Sequence, residues 1–342
     1  MCGDCWKLGV TATPYRLNLR TFRSHFDKLI ESIPINTFIK EGFLAQYDFL
    51  TDNPRSDLSH AIKAIKEKSS TGDYKIDTLM RVLNIEQHIQ RLILCYEQYV
   101  KGQKGIVYAI NKEHAKNICE AYRAIGVEAV YIDSDTPKRE RKRIVDSFRK
   151  SEIKVMVNVD IFSEGFDCPD VEFIQLARPT WSLSKYLQQV GRGMRPSNNK
   201  QKTVILDNSR MYIKFGLPSE KRPWDQYFMG DYNLKSIQGR EDSIKEKILY
   251  RLSFNEEDLM VRINETSVRI EYNIVSKENY DEPDDEEVED NWITRIFGEA
   301  NSKLKTIIVV ILAIAIIVIL IQTMGLLGAA LIGLIAGFFS KK

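Results

Sequence analysis

Histidine is almost missing from this 342-residue chain: there are four, His25, His60, His88 and His114, and none shows metal-ligand spacing. Cysteine is scarce too. Of the five, Cys2-x-x-Cys5 has a metal-like interval, but Cys95, Cys119 and Cys168 supply no second pair, which argues against a zinc site and leaves reduced thiols as the default. Residues 1–10 lack the apolar core of a secretory signal. Charge of one sign is absent as well: 49 Lys and Arg face 47 Asp and Glu, a net +2, so global charge gives no argument for a polyanionic partner. The length allows two or three structural units.

What is present, from residue 105 onward, is alternation. Ile106–Ile110, Val127–Ile132, Lys154–Val159, Val171–Leu176 and Thr203–Asp207 read as strands. Lys112–Ile125, Pro137–Arg149 and Ser182–Met194 read as helices, the last with a Ser cap. Such alternation predicts an α/β fold with a mostly parallel sheet covered by helices on both faces. Upstream, a helix near Phe22–Ser32, an extended piece Ala45–Leu50 and an amphipathic helical region over 58–101 are expected. Downstream, Tyr250–Leu252 and Val268–Ile274 read as strands. The basic run Lys138-Arg139-Glu140-Arg141-Lys142-Arg143 opens a helix and reads first as a solvated face, with phosphate steering as the alternative.

Two stretches carry chemistry. In Gln188-Gln189-Val190-Gly191-Arg192-Gly193-Met194-Arg195-Pro196, a helical backbone would set Gln188, Arg192 and Arg195 on one face. Two guanidiniums so placed form either a solvated helix end or a grip for a phosphate group. In the second stretch, the apolar strand ending at Val159 gives way to a polar loop holding Gly165 and Asp167, with Pro169 forbidding a helix. A glycine beside an acid at a parallel strand's carboxyl end is either an ordinary turn or the place where open α/β sheets take ligands.

These residues resemble superfamily 2 helicases of the DEAD/DEAH-like kind. Gln188-x-x-Gly-Arg-x-x-Arg195 resembles motif VI, Ser163-Glu-Gly-Phe-Asp167 motif V, Gly105-Ile-Val-Tyr-Ala109 motif IV, and Lys7-Leu-Gly-Val-Thr-Ala-Thr-Pro-Tyr-Arg16 motif III. The four stand in family order over about residues 7–210, and their form is nearer the DNA helicases of repair and restriction than the RNA helicases. The resemblance implies a RecA-like sheet. It implies ATP with Mg²⁺ as cofactor, Arg192, Arg195 and Gln188 as catalytic residues, and Gly165 and Asp167 as ATP-binding. It further implies Thr11 and Thr13 in interdomain coupling, and Asn111, Ser134 and Asn158 on nucleic acid, with DNA favoured over RNA. The family's phosphate loop and acidic Mg²⁺-binding motif are missing from this sequence, so the resemblance is to a C-terminal part truncated at the N-terminus, inactive as an ATPase by itself. Val159 stands where DEAD-box members carry a phosphate-contacting Thr; Asn158 beside it could substitute.

The expected organisation is residues 1–50, the remnant of a first RecA-like domain with a connector; 51–210, the second RecA-like domain; 211–280, an accessory region; 281–302, an acidic linker; and 303–340, a transmembrane segment, either one tilted span or a hairpin. Lys303, Lys305, Lys341 and Lys342 flank the apolar run, which predicts a membrane-anchored protein with its helicase domain in the cytoplasm. Gly325, Ala329, Gly333 and Gly337 would suit tail-mediated oligomers. Three readings follow: part of a helicase completed by a chain carrying the first RecA-like domain, a non-hydrolysing membrane-tethered nucleic-acid-binding module, or an oligomerising interaction protein.

Overall fold

The structure is a computed structural model that describes residues 7–11, 13–14, 22–160, 168–230, 234–253, 255 and 257–278, all within the compact unit Met1–Asp281. In chain order the elements are α1 (Ile35–Lys40), β1 (Gln46–Asp52), α2 (Asp57–Ala64), α3 (Ile76–Leu83), α4 (Glu86–Tyr99), β2 (Gly105–Tyr108), α5 (Lys112–Ala124), β3 (Ala129–Ile132) and α6 (Lys138–Arg149). They continue with β4 (Val155–Asn158), β5 (Phe173–Leu176), α7 (Leu183–Gly193), β6 (Lys202–Asp207), α8 (Met211–Phe215), α9 (Trp224–Met229), α10 (Leu234–Leu252), β7 (Met260–Ile263) and α11 (Glu265–Glu278).

The seven strands form one sheet in the order β3-β4-β2-β5-β6-β1-β7, parallel throughout except for β7, which runs antiparallel to β1. The strands are short and apolar because both faces are covered. Side chains alternate between two cores with the period of a strand. Ile106, Tyr108, Met156, Ile174, Leu176, Ile205 and Phe49 face α6, α7 and α8. Val107, Ala109, Val155, Val157, Phe173, Leu206 and Leu50 face α4 and α5. The predicted α/β sheet with helices on both faces is therefore present, and it fits a RecA-like architecture. The register aligns the strand ends: Ile132, Asn158, Tyr108, Leu176, Asp207 and Thr51 form one row across the carboxyl edge.

Other expectations change. No helix forms near Phe22–Ser32 among the described residues; Phe22, Phe26 and Leu29 are only half-buried, Ile30 and Ile33 stay exposed, and a helix starts only after Pro34. The extended piece Ala45–Leu50 is no free connector but the start of β1, hydrogen-bonded between β6 and β7. Region 58–101 divides into α2, α3 and α4. Tyr250–Leu252 and Val268–Ile274, rich in β-formers, lie in α10 and α11, because Ile244, Ile248 and Val275 pack at helical spacing with Leu252 and Val268 against them. The strand is instead Met260–Ile263, whose alternating Arg262 points outward.

The membrane-anchored localisation is corrected: among the described residues no helix is long and apolar enough to cross a membrane. The longest, α10, carries Lys235, Arg240, Glu241, Asp242, Lys245, Glu246, Lys247 and Arg251, a charge density that hydrocarbon excludes. Residues 303–340, on which the transmembrane expectation rested, lie outside the described residues, as does the linker 281–302.

Candidate functional site

Helix α7 places the motif that drew attention first. Ser182 caps it, its hydroxyl accepting from the Lys185 N–H at 3.2 Å. Leu183, Tyr186, Gln189, Val190 and Gly193 are buried against the sheet, which leaves Gln188 turned to solvent and Arg192 half-buried. Gln188 is exposed and donates to Ser184 Oγ at 3.5 Å. The helix ends at Gly193, with Met194 as its C-cap, so Arg195 lies past the last turn and does not share the helical face with Gln188 and Arg192. Pro196 ends the helix, because the residue before a proline is disfavoured in helical backbone, and packing fixes how close the last turn lies to the sheet. A Cβ on Gly193 would come within 2.6 Å of Thr203 and 2.8 Å of Ile174; only glycine lets the helix meet the sheet so closely. Beyond it, the Met194 carbonyl accepts from the Ala45 N–H at 2.7 Å, tying the chain to the entrance of β1.

Arg192 and Arg195 nevertheless stay together. Burial drives the Tyr108 phenol far above its ordinary pKa, and the positive charges of Arg192 and Arg195 oppose that rise. That hydroxyl donates to the Gln189 carbonyl at 3.4 Å. Both arginines are half-buried.

The residues expected on nucleic acid lie at the ends of neighbouring strands. Asn111 follows β2, Ser134 follows β3 and Asn158 ends β4, three strands adjacent in the sheet. Their side chains differ in availability. Asn111 caps α5, its Oδ1 accepting from the His114 N–H at 2.9 Å. Asn158 is buried, with 1% exposed, whereas Ser134 is open to solvent. Gly165 and Asp167 lie outside the described residues. Thr11 and Thr13 bond to each other, the Thr11 hydroxyl donating to the Thr13 carbonyl at 2.9 Å and the Thr13 N–H to Thr11 Oγ1 at 3.2 Å. The site is thus split. One group lies at the carboxyl edge of the sheet, the other at the C-terminal end of α7, which starts at that edge and runs ~15 Å away from it over ten residues.

The sequence reading missed a charged cluster at the same edge. Asp160, two residues past β4, has φ 52°, in the left-handed region. It pairs with Arg178 at 2.7 Å and Lys185 at 3.2 Å. Burial works to raise its carboxyl pKa, and the charges of Arg178 and Lys185 more than offset this, holding it below the ordinary value. Arg178 also approaches Asp73 at 3.8 Å, and a cleft of about 370 Å³ opens beside Asp73, Lys75, Arg178 and Lys185. The available signal was an arginine directly after an apolar strand, in Leu176-Ala177-Arg178-Pro179. Among the described residues no group of three or more His, Cys, Asp and Glu could hold a metal ion. Cys95, Cys119 and Cys168 are free and buried.

Comparison with known proteins bears on the domain that holds these residues. Residues 75–197 match the model of the helicase conserved C-terminal domain. The chain carries a superfamily 2 helicase C-terminal domain. It is 34% identical over 244 residues to the "51.5 kDa protein" of a Lactococcus phage (isolate 7-9), covering 71% of this chain and 51% of that protein. It is 28% identical over 257 residues to the "Putative ATP-dependent helicase IRC3" of Saccharomyces cerevisiae, covering 72% of this chain and 36% of that protein. A fragment of a putative HsdR subunit of a type I restriction enzyme from Vibrio vulnificus YJ016 gives a TM-score of 0.46 at 22% identity, over 61% of this chain and 40% of that one, too loose a likeness to add weight. This chain spans between about a third and a half of the length of the curated relatives it matches.

Proposed function

We propose that the chain supplies the second RecA-like half of an ATP-dependent nucleic-acid motor. Arg192 and Arg195 face the nucleotide phosphates, and the carboxyl edge of the sheet faces the strand. The observation that carries this reading is the placement of Arg192 in the last turn of α7 and of Arg195 just beyond it, both half-buried, on a stretch packed on the sheet at Gly193 and bonded to the entrance of β1 at Met194. Two neighbouring positive charges neutralise an anion better than either alone, and such an arginine contributes about 10³–10⁵ to phosphoryl transfer in related NTPases. ATP, when bound, would supply the transferable phosphoryl group. The protein's own task is to hold Arg192 and Arg195 in place, which Gly193 and the Met194–Ala45 hydrogen bond accomplish. No step is assigned to Mg²⁺.

None of the 342 residues forms a Gly-x-x-x-x-Gly-Lys-Ser/Thr phosphate loop. That favours a second reading, in which the chain holds nucleic acid without hydrolysing ATP unless another polypeptide supplies the loop.

Titrating a fluorescent ATP analogue into the purified chain tests the arginine assignment. Each lost charge-assisted bond weakens binding about tenfold, so R192Q/R195Q should bind at least that much more weakly. Equal affinity in a variant that melts like wild type refutes the assignment. Phosphate release with single-stranded DNA is expected to be negligible for the chain alone; sustained turnover sinks the claim that a loop must be supplied. Oligonucleotide affinity should fall steeply with salt, as phosphate contacts require.

A further inference from the structure

We infer that Asp160 is a positioning residue that locks the carboxyl edge of the sheet to helix α7, so that occupancy of that edge is felt at Arg192 and Arg195. This rests on the proposed reading of the edge as the nucleic-acid surface.

A non-glycine residue in the left-handed region is strained and persists only where its surroundings hold it there. At Asp160 the holding groups are the Arg178 guanidinium, 2.7 Å away, and the Lys185 ammonium, 3.2 Å away. They come from different elements. Arg178 follows β5 and is 6% exposed; Lys185 is in the first turn of α7. One carboxylate therefore ties the end of β4 to β5 and α7.

The start of α7 is anchored on its other side by Asp73, from the loop before α3. Asp73 accepts from the Thr180 hydroxyl at 2.9 Å and from the Trp181 N–H at 2.8 Å, the residues that lead into the Ser182 cap. The same Asp73 carboxylate faces Arg178 at 3.8 Å. The cleft beside this cluster is no anion site, because Asp73, Asp77 and Asp160 offset the charges of Lys75, Arg178 and Lys185.

Two points of attachment make α7 a lever. Its first turn is bound to Asp160, next to Asn158; its last turn sits in the notch over Ile174 and Thr203 that Gly193 permits. A helix transmits displacement along its axis because its hydrogen bonds run along that axis. A shift of the β4 end is therefore delivered to the turn that carries Arg192. Asp160 and Lys185 keep 50% and 32% of their side-chain surface exposed, so both can be altered without opening the core.

Hydrogen exchange of the full chain, with and without saturating single-stranded oligonucleotide, tests this. In wild type the oligonucleotide should slow exchange both near residue 158 and at 190–196, by at least about fivefold at the latter. In D160N and K185Q the slowing should remain near 158 and vanish at 190–196. K185R, which keeps the charge, should restore it, a rescue that general loosening of the fold would not show. Full slowing at 190–196 in D160N, or none there in wild type despite binding, overturns the inference. Absence of oligonucleotide binding in wild type and variants alike instead overturns the nucleic-acid reading beneath it, and the inference with it.

Discussion

Two glycines two residues apart in α7 should respond to alanine with opposite signs. Around Gly191 no atom lies within 4 Å of an added Cβ; at Gly193 the added carbon meets Thr203 Cγ2 at 2.6 Å and Ile174 Cγ1 at 2.8 Å. Neither glycine has a positive φ, so backbone strain does not enter. For G191A the helix-propensity term stands alone and stabilises by about 0.5–1 kcal/mol. For G193A the same gain is smaller at the helix end, and overpacking against two side chains with 0% exposure costs about 1–3 kcal/mol. The net loss should be ~1–2 kcal/mol. The two variants should then differ by ~2 kcal/mol, which at a urea m-value of about 2 kcal/mol/M separates their midpoints by ~1 M, with wild type between them. Equilibrium urea unfolding followed by circular dichroism reads this directly. A G193A midpoint at or above wild type would show that α7 has room to lift from β5 and β6. The reading of Gly193 as the residue that lets α7 approach the sheet would then fail.

Further outcomes follow from buried polar groups. His114 is held neutral, its pKa lowered by burial to about 4, and its Nδ1 accepts from the Ile110 N–H at 3.2 Å. The unfolded histidine binds its proton first, so stability is constant above about pH 6.5, falls as pH drops from there to about 4, and levels off below, for a total near 3 kcal/mol. H114Q should lack this component, as the difference between wild-type and variant unfolding curves over that window will show. Asp207 is fully buried and accepts from the Thr51 hydroxyl at 2.9 Å and from the Met211 and Tyr212 N–H groups at 2.9 Å. D207A strands these donors, and the Ser209 N–H and hydroxyl with them, and should cost at least about 3 kcal/mol, measured by the same urea titration; a loss under 1 kcal/mol would mean water replaces the carboxylate.

The order of strands and helices from residue 105 to 207 was readable because each element is short, contiguous and bounded by its own turn residues. Local pattern and tertiary structure agree there. They part where burial, not propensity, decides. Tyr250–Leu252 and Val268–Ile274 are composed of strand formers, yet Ile244, Ile248 and Val275 interlock only if both segments are helical. The strand that does form, Met260–Ile263, is four residues long and is defined by its pairing with β1, about 210 residues earlier in the chain. No window on the sequence contains both.

The candidate site divides along the same line. Gln188, Arg192 and Arg195 are close in sequence, so their spacing pointed to a shared task, but the helical face assigned to all three fails at Gly193. That glycine is set by Ile174 and Thr203, on strands either side of it in the chain. The Asp160 cluster was invisible for a stronger reason. Its members come from β4, β5, α7 and the loop before α3, and Asp73 meets Thr180 across 107 residues of sequence. Each member alone is an ordinary charged residue beside a strand or helix end, where a solvated side chain is the normal expectation. What marks them out is an aspartate in the left-handed region gripped by a guanidinium with 6% exposure. Desolvating that arginine costs more than a surface pair returns unless its carboxylate partners stay in place. The charge of Asp160 and the position of α7 are therefore one constraint, and losing the first should release the second.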